Sequence, residues 1–139
     1  MKHVPAPVPR EFRDRVPAEP GRLVGLRKQL TGWLAGLGVD GERQEDIVLA
    51  SNEALANSAE HAYRGGADGV IDIHATAVSD EIRIVVTDYG AWKPADPADT
   101  IRGRGLLLID RLADHAECEY RGDGTTVTMT WTSLPEGAR

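Results

Sequence analysis

Residues 51–65 read SNEALANSAEHAYRG, an uninterrupted stretch that reads as the second half of one long helix. At about 100° per residue, Ile47, Ser51, Ala54, Leu55, Ser58 and Ala62 gather on one small-residue and apolar side. Glu53, Asn57, Glu60 and Arg64 gather on another. This polar stripe is centred roughly 130° round the helix from the apolar side, with His61 at its edge, which is far enough to reach a cleft. Ordinary solvated i, i+4 pairs have the same spacing, so the stripe takes its meaning from the rest of the chain.

Working back from this stretch, Asp40 is placed as the N-cap of the same helix, with Glu42 and Glu45 near its positive end, and the helix is predicted to run to about Tyr63. Before it, Leu23, Leu26, Leu30, Trp33, Leu34 and Leu37 recur at helical spacing until Gly36 and Gly38 stop the run. Gly25 and Gly32 lower the intrinsic propensity of this first helix, so it depends on tertiary packing. Pro17 and Pro20 close a first, edge strand over Glu11 to Val16, and residues 1–10, with three prolines, read as a mobile leader.

Working forward, Gly65, Gly66 and Gly69 mark a turn, after which Ile71, Ile73, Ala75 and Ala77 alternate with Asp72, His74 and Thr76. Ser79 and Asp80 make a short hairpin connection into EIRIVVTD, where Ile82, Ile84 and Val86 share a side and period two puts Asp88 on that same apolar side. From Tyr89 to Arg104 the pattern is lost, a span longer than most connections and typical of a lid or binding loop. A short helix, Leu106 to Ala113, precedes a strand with Ala116, Cys118 and Tyr120 in alternation. A Gly-Asp-Gly turn at 122–124 then leads to a last strand in which Val127, Met129 and Trp131 alternate with threonines. The expected fold is α+β: a two-layer α/β sandwich with a mixed, mainly antiparallel sheet of about five strands and helices on one face. One domain over residues 11–133 is expected, with 134–139 as a tail.

The charge balance, 16 Lys+Arg against 22 Asp+Glu for a net −6, disfavours a protein whose affinity comes from neutralising many phosphates along nucleic acid. No apolar run approaches the ~20 residues that span a bilayer, and MKHVPAPVPR lacks a signal-peptide core, so a cytoplasmic protein is expected. Cys118 is the only cysteine, which excludes a disulfide framework or a multi-cysteine zinc site and leaves a buried structural thiol as the default.

Three patches can carry chemistry. Glu53 and Asn57 lie one helical turn apart: a carboxylate can take a proton or orient a hydroxyl, and an amide oxygen is a hard ligand suited to Mg²⁺. A metal site of Glu53, Asn57, Glu60 and His61 ranks below this, since the two-histidine zinc spacing is absent. Asp88-Tyr89-Gly90 ends a strand with a carboxylate in a core position, which must be paired or hydrogen-bonded; a purine amino group would serve, and so would an Asx turn closed by Gly90. Arg102-Gly103-Arg104-Gly105 directly precedes a leucine-rich helix, where close backbone approach, outward amides and two arginines suit phosphates. It is neither a Walker A loop nor a dinucleotide fingerprint.

ExxxN on a helix, then strand-DxG, a long loop, and GxG opening a helix, in that order, resembles the GHKL superfamily of ATP-binding domains. EALANSAEHAY, DYGAW and GRGLLLI look most like the anti-sigma-factor serine/threonine kinases within it, over about residues 11–133. The resemblance implies that Glu53 is the general base, Asn57 the Mg²⁺ ligand, Asp88 the adenine-reading carboxylate, Gly90 part of the adenine pocket, and Gly103 and Gly105 the hinge glycines near the phosphates. Arg104 is assigned a phosphate contact. ATP and Mg²⁺ are the implied cofactors, and the implied partners are an anti-sigma-factor antagonist as substrate and a sigma factor to be sequestered. A homodimer is consistent with the same resemblance. Trp92 stands where the second glycine of DxGxG would be, a departure that favours the alternative of a non-catalytic, nucleotide-gated binding module.

Overall fold

Alternation builds the sheet, because each strand turns its apolar members to the same side. In the computed structural model, which describes residues 10–62, 69–90, 106–121 and 123–132, β2 (Val70–Val78) buries Ile71, Ile73, Ala75 and Ala77 and leaves Asp72, His74 and Thr76 on the open face. β3 (Glu81–Asp88) buries Ile82, Ile84, Val86 and Asp88, and β5 (Thr125–Trp131) buries Val127, Met129 and Trp131. With β1 (Glu11–Pro17) and β4 (His115–Tyr120) at the edges, the order is β1-β2-β3-β5-β4.

The four pairings among the described residues are all antiparallel, where a mixed, mainly antiparallel sheet was expected. The hairpin between β4 and β5 folds β5 back between β3 and β4, so β3 and β4, which point the same way, never become neighbours. The β2–β3 hairpin turns at Ser79, whose φ of 55° puts a non-glycine residue in the left-handed region, as tight hairpins demand.

Three helices cover one face. α1 (Pro20–Gly36) buries Leu23, Leu26, Leu30, Trp33 and Leu34, the expected stripe, and Gly38 (φ 82°) lets the chain leave the helix. α2 (Gly41–Asn57) is capped by Asp40, whose carboxylate accepts the Arg43 N–H at 3.0 Å. Its buried residues are Ile47, Ala50, Ser51, Ala54 and Leu55. Beyond Asn57 the expected α-helix gives way to a π-helical turn, Ser58–Ala62, so the phase set by about 3.6 residues per turn holds only to Asn57. Tyr63 lies outside the described residues, as do the leader up to residue 9, most of the predicted loop and the tail.

α3 (Leu107–Leu112) buries Ile109 and is tied to β5 by Trp131, whose indole N–H donates to the Leu112 carbonyl at 2.9 Å. Asp114 accepts from Arg43 Nη1 (3.3 Å) and the Thr132 N–H (2.7 Å), joining the start of α2 to the end of β5. Cys118 is half-buried rather than buried, because β4 is an edge strand on which no residue is fully covered. No helix among the described residues is long and apolar enough to cross a membrane.

Leu34 is fully enclosed in the helix layer. Leu34→Ala should therefore lower unfolding free energy by about 2–5 kcal/mol, measured by urea titration, through lost burial plus a residual cavity.

Candidate functional site

The inward alternation of β3 delivers a charged residue, Asp88, into the layer between sheet and helices, where its exposure is 0%. A buried carboxylate demands donors, and two backbone amides supply them: Gly90 N–H and Thr125 N–H each donate to Asp88 Oδ1 at 3.2 Å. The first bond is the Asx turn that DxG allows. An ionised carboxylate has about four lone-pair sites, so a turn on one oxygen and recognition of a ligand amine are compatible.

Thr125 stands directly opposite Asp88 in the β3–β5 register. Its side chain is buried and its Oγ1 has no hydrogen-bond partner among the described residues, which is unusual for an enclosed hydroxyl. The register thus places the Asp88 carboxylate and the Thr125 hydroxyl side by side at the end of β3. The residue before it, Gly124, is fixed by close approach: a Cβ there would lie 2.2 Å from the Asp88 carbonyl oxygen. The sequence places Gly124 in a turn without showing this contact, and Thr125 is not singled out there. Period two from Val127 assigns Thr125 to the buried side, and that was the signal available.

On the helix layer, Glu53 and Asn57 are both half-buried on α2, and α2 with its π turn packs against β3. Asn57 Nδ2 donates to the Glu53 carbonyl at 2.9 Å. Only the NH₂ end can serve that carbonyl, so the amide oxygen is turned away from the helix backbone, available to a ligand. The Glu53 carboxylate makes no hydrogen bond or ion pair among the described residues. The structure thus carries Asp88 and Gly90, and Glu53 and Asn57, on elements in mutual contact. Gly103, Arg104, Gly105 and Trp92, together with the His61 side chain, lie outside the described residues. Among the described residues no cluster of three His, Cys, Asp or Glu could hold a metal ion by itself.

Across the sheet, on its open face, a groove of about 570 Å³ is bordered by Arg13, Arg15, Asp72, His74, Val85 and Thr87. It lies on the face opposite to Asp88 and is not the candidate site. Arg15 grips Asp72 with two bonds (Nε at 2.6 Å, Nη2 at 2.9 Å), and the Tyr89 hydroxyl donates to the same carboxylate. The hydrogen bond from Arg15 holds the Asp72 carboxyl below the usual carboxylate range, while the bond to Asp72 raises the Tyr89 hydroxyl and, from the other side, Arg15.

Two outcomes follow. Gly124→Ala should cost about 1–3 kcal/mol in urea unfolding, since a methyl group cannot enter the space held by the Asp88 carbonyl. For Asp72, a depressed carboxyl contributes stability that is present above its ordinary value of 3.8 and is lost as pH falls through the lower folded value. Thermal melts of the parent and Asp72→Asn should therefore differ at neutral pH and converge as pH drops below 3.8.

The histidine kinase-like ATPase domain family matches residues 16–131. Serine-protein kinase RsbW of Listeria monocytogenes serotype 4a (strain HCC23) is 30% identical over 131 residues, covering 84% of this chain and 83% of that protein. Its namesakes from Bacillus pumilus (strain SAFR-032) and Staphylococcus aureus (strain JH9) are also 30% identical, over 84% of this chain and 82% of each relative. Among solved structures, the RsbU and RsbW domains of a Mycobacterium tuberculosis protein superpose with a TM-score of 0.69 at 26% identity. That match covers 89% of this chain and 32% of the larger one.

Proposed function

The chain belongs to the histidine kinase-like ATPase domain family, and we propose that it is an ATP- and Mg²⁺-dependent serine/threonine protein kinase that acts as an anti-sigma factor and phosphorylates an anti-sigma-factor antagonist. The observation that carries this reading is the buried pair at the end of β3: the Asp88 carboxylate beside the Thr125 hydroxyl, which has no hydrogen-bond partner among the described residues. An adenine edge presents an amine donor next to a ring nitrogen acceptor, which is the complement of a carboxylate beside a hydroxyl. Gly90, buried in the same turn, lets the backbone come close to the base.

The donor set also fits Mg²⁺. One outward amide oxygen, with no three-residue acidic or histidine cluster among the described residues, suits an ion that is held partly by substrate phosphates and keeps several waters. Asn57 would hold it, and bound Mg²⁺ supplies charge neutralisation at the phosphate oxygens. Glu53 accepts the proton of the acceptor serine or threonine hydroxyl as that oxygen bonds to the γ-phosphorus and ADP leaves. Its half-buried carboxylate on α2, without a hydrogen bond or ion pair among the described residues, suits a base that must meet a protein substrate. Gly103, Arg104 and Gly105 are assigned to the phosphates from the sequence. The work is therefore mostly positioning and electrostatics, as phosphoryl transfer requires. The same reading places the protein in the cytoplasm, with a sigma factor as second partner.

The test separates position from role. With labelled ATP and an antagonist protein, Glu53→Gln should slow transfer to a serine or threonine by about 10²- to 10⁴-fold and leave ATP affinity nearly as it was. Asn57→Ala should weaken Mg²⁺-dependent ATP binding and transfer together. Parent-like transfer by Glu53→Gln removes Glu53 as base. A parent that binds partners and never phosphorylates them is a nucleotide-gated module instead.

A further inference from the structure

β3 leaves the ladder at Asp88, which is its last paired residue, opposite Ile71 on β2 and Thr125 on β5. The next two residues still have to present Gly90 to the pocket. On the inner side the Gly90 N–H is bonded to Asp88 Oδ1. On the outer side the Tyr89 ring turns back over the open face, where its hydroxyl donates to Asp72 Oδ2. Asp72 sits opposite Thr87, so the phenol reaches back along the strand it has just left. Asp72 is itself fixed by two bonds from Arg15 on the edge strand β1, and the Arg15 guanidinium lies 5.8 Å from the centre of the Tyr89 ring. Three strands thus converge on the one residue whose backbone lies between Asp88 and Gly90.

We infer that Arg15, Asp72 and Tyr89 form a positioning clamp that, from the face of the sheet away from the nucleotide, sets the Asp88–Gly90 turn in the conformation that receives adenine. This rests on the reading of Asp88 and Gly90 as the adenine pocket. The three side chains meet on the open face, opposite Asp88, and act through the peptide units on either side of Tyr89. A bidentate arginine–carboxylate pair has a set geometry, and the phenol is a rigid lever with few torsions. The clamp therefore removes freedom from a turn that would otherwise be ordered only on binding, and preorganisation of that kind appears as affinity.

The test measures Mg²⁺ and ATP binding to the full chain by calorimetry for the parent, Tyr89→Phe, Asp72→Ala, the double variant and Asp88→Asn. Tyr89→Phe keeps the ring and loses one hydrogen bond. It should weaken ATP binding about two- to ten-fold, leave the melting temperature of the nucleotide-free protein as in the parent, and speed hydrogen exchange at the Gly90 amide. The double variant should bind no more weakly than the weaker single variant, because both changes remove the same bond. Parent-like affinity in Tyr89→Phe alongside a loss in Asp88→Asn overturns the clamp and spares the pocket. Parent-like affinity in both overturns the pocket reading and the clamp with it. A melting temperature of Tyr89→Phe that falls in step with its affinity, with additive effects in the double variant, also overturns positioning and reduces the cluster to an ordinary stabilising contact.

Discussion

The cost of placing a carboxylate in a dry layer organises this protein. Asp88 occupies a position that period two reserves for an apolar side chain, and an uncompensated charge there would be costly enough to threaten a marginally stable domain. The two amides that compensate it come from residues 90 and 125, which brings the exit of β3 and the entry of β5 to one point. Gly124 is then forced, because the chain entering β5 must pass against the Asp88 carbonyl. A charge that had to be satisfied has shaped the turn, the register and the choice of glycine beside it.

The helix layer answers a different constraint. α2 must pack closely on the sheet and still present polar groups, and it does so by burying small residues, Ala50, Ser51 and Ala54, alongside the larger Ile47 and Leu55. Close approach leaves Glu53 and Asn57 half-buried beside the packed side, at the margin between core and solvent. The π turn after Asn57 alters the helical phase directly beyond Glu53 and Asn57. Glu60, expected on the same stripe, is exposed beyond that change of phase.

The two faces of the sheet divide the labour. The inner face carries the apolar core with Asp88 and Thr125, while the outer face carries charge and threonines, as a singly covered antiparallel sheet allows. Tyr89 links them: its backbone belongs to the Asp88–Gly90 turn and its side chain to the outer ion pair. A surface pair such as Arg15–Asp72 contributes little to stability when isolated, and its bidentate geometry is better suited to fixing a direction than to holding a fold together.

Periodicity alone determined the element types, the leucine stripe of α1, the Asp40 cap and the inward direction of Asp88, because each is a local consequence of side-chain spacing and backbone chemistry. The order of the motifs also determined the family, since ExxxN, DxG and GxG are read along the chain without knowing where it folds. What only the tertiary structure decided are the relations between segments distant in sequence. The wholly antiparallel sheet depends on β5 entering between β3 and β4. The part of Thr125 depends on a register 37 residues from Asp88, and the convergence of Arg15 and Asp72, 57 residues apart, on a third strand. Cys118 is half-buried because its strand became an edge. The π turn was likewise beyond a reading that assumes constant helical pitch. Local patterns state which side of an element a residue occupies; which residue of another element meets it there is set by packing, to which every element contributes at once.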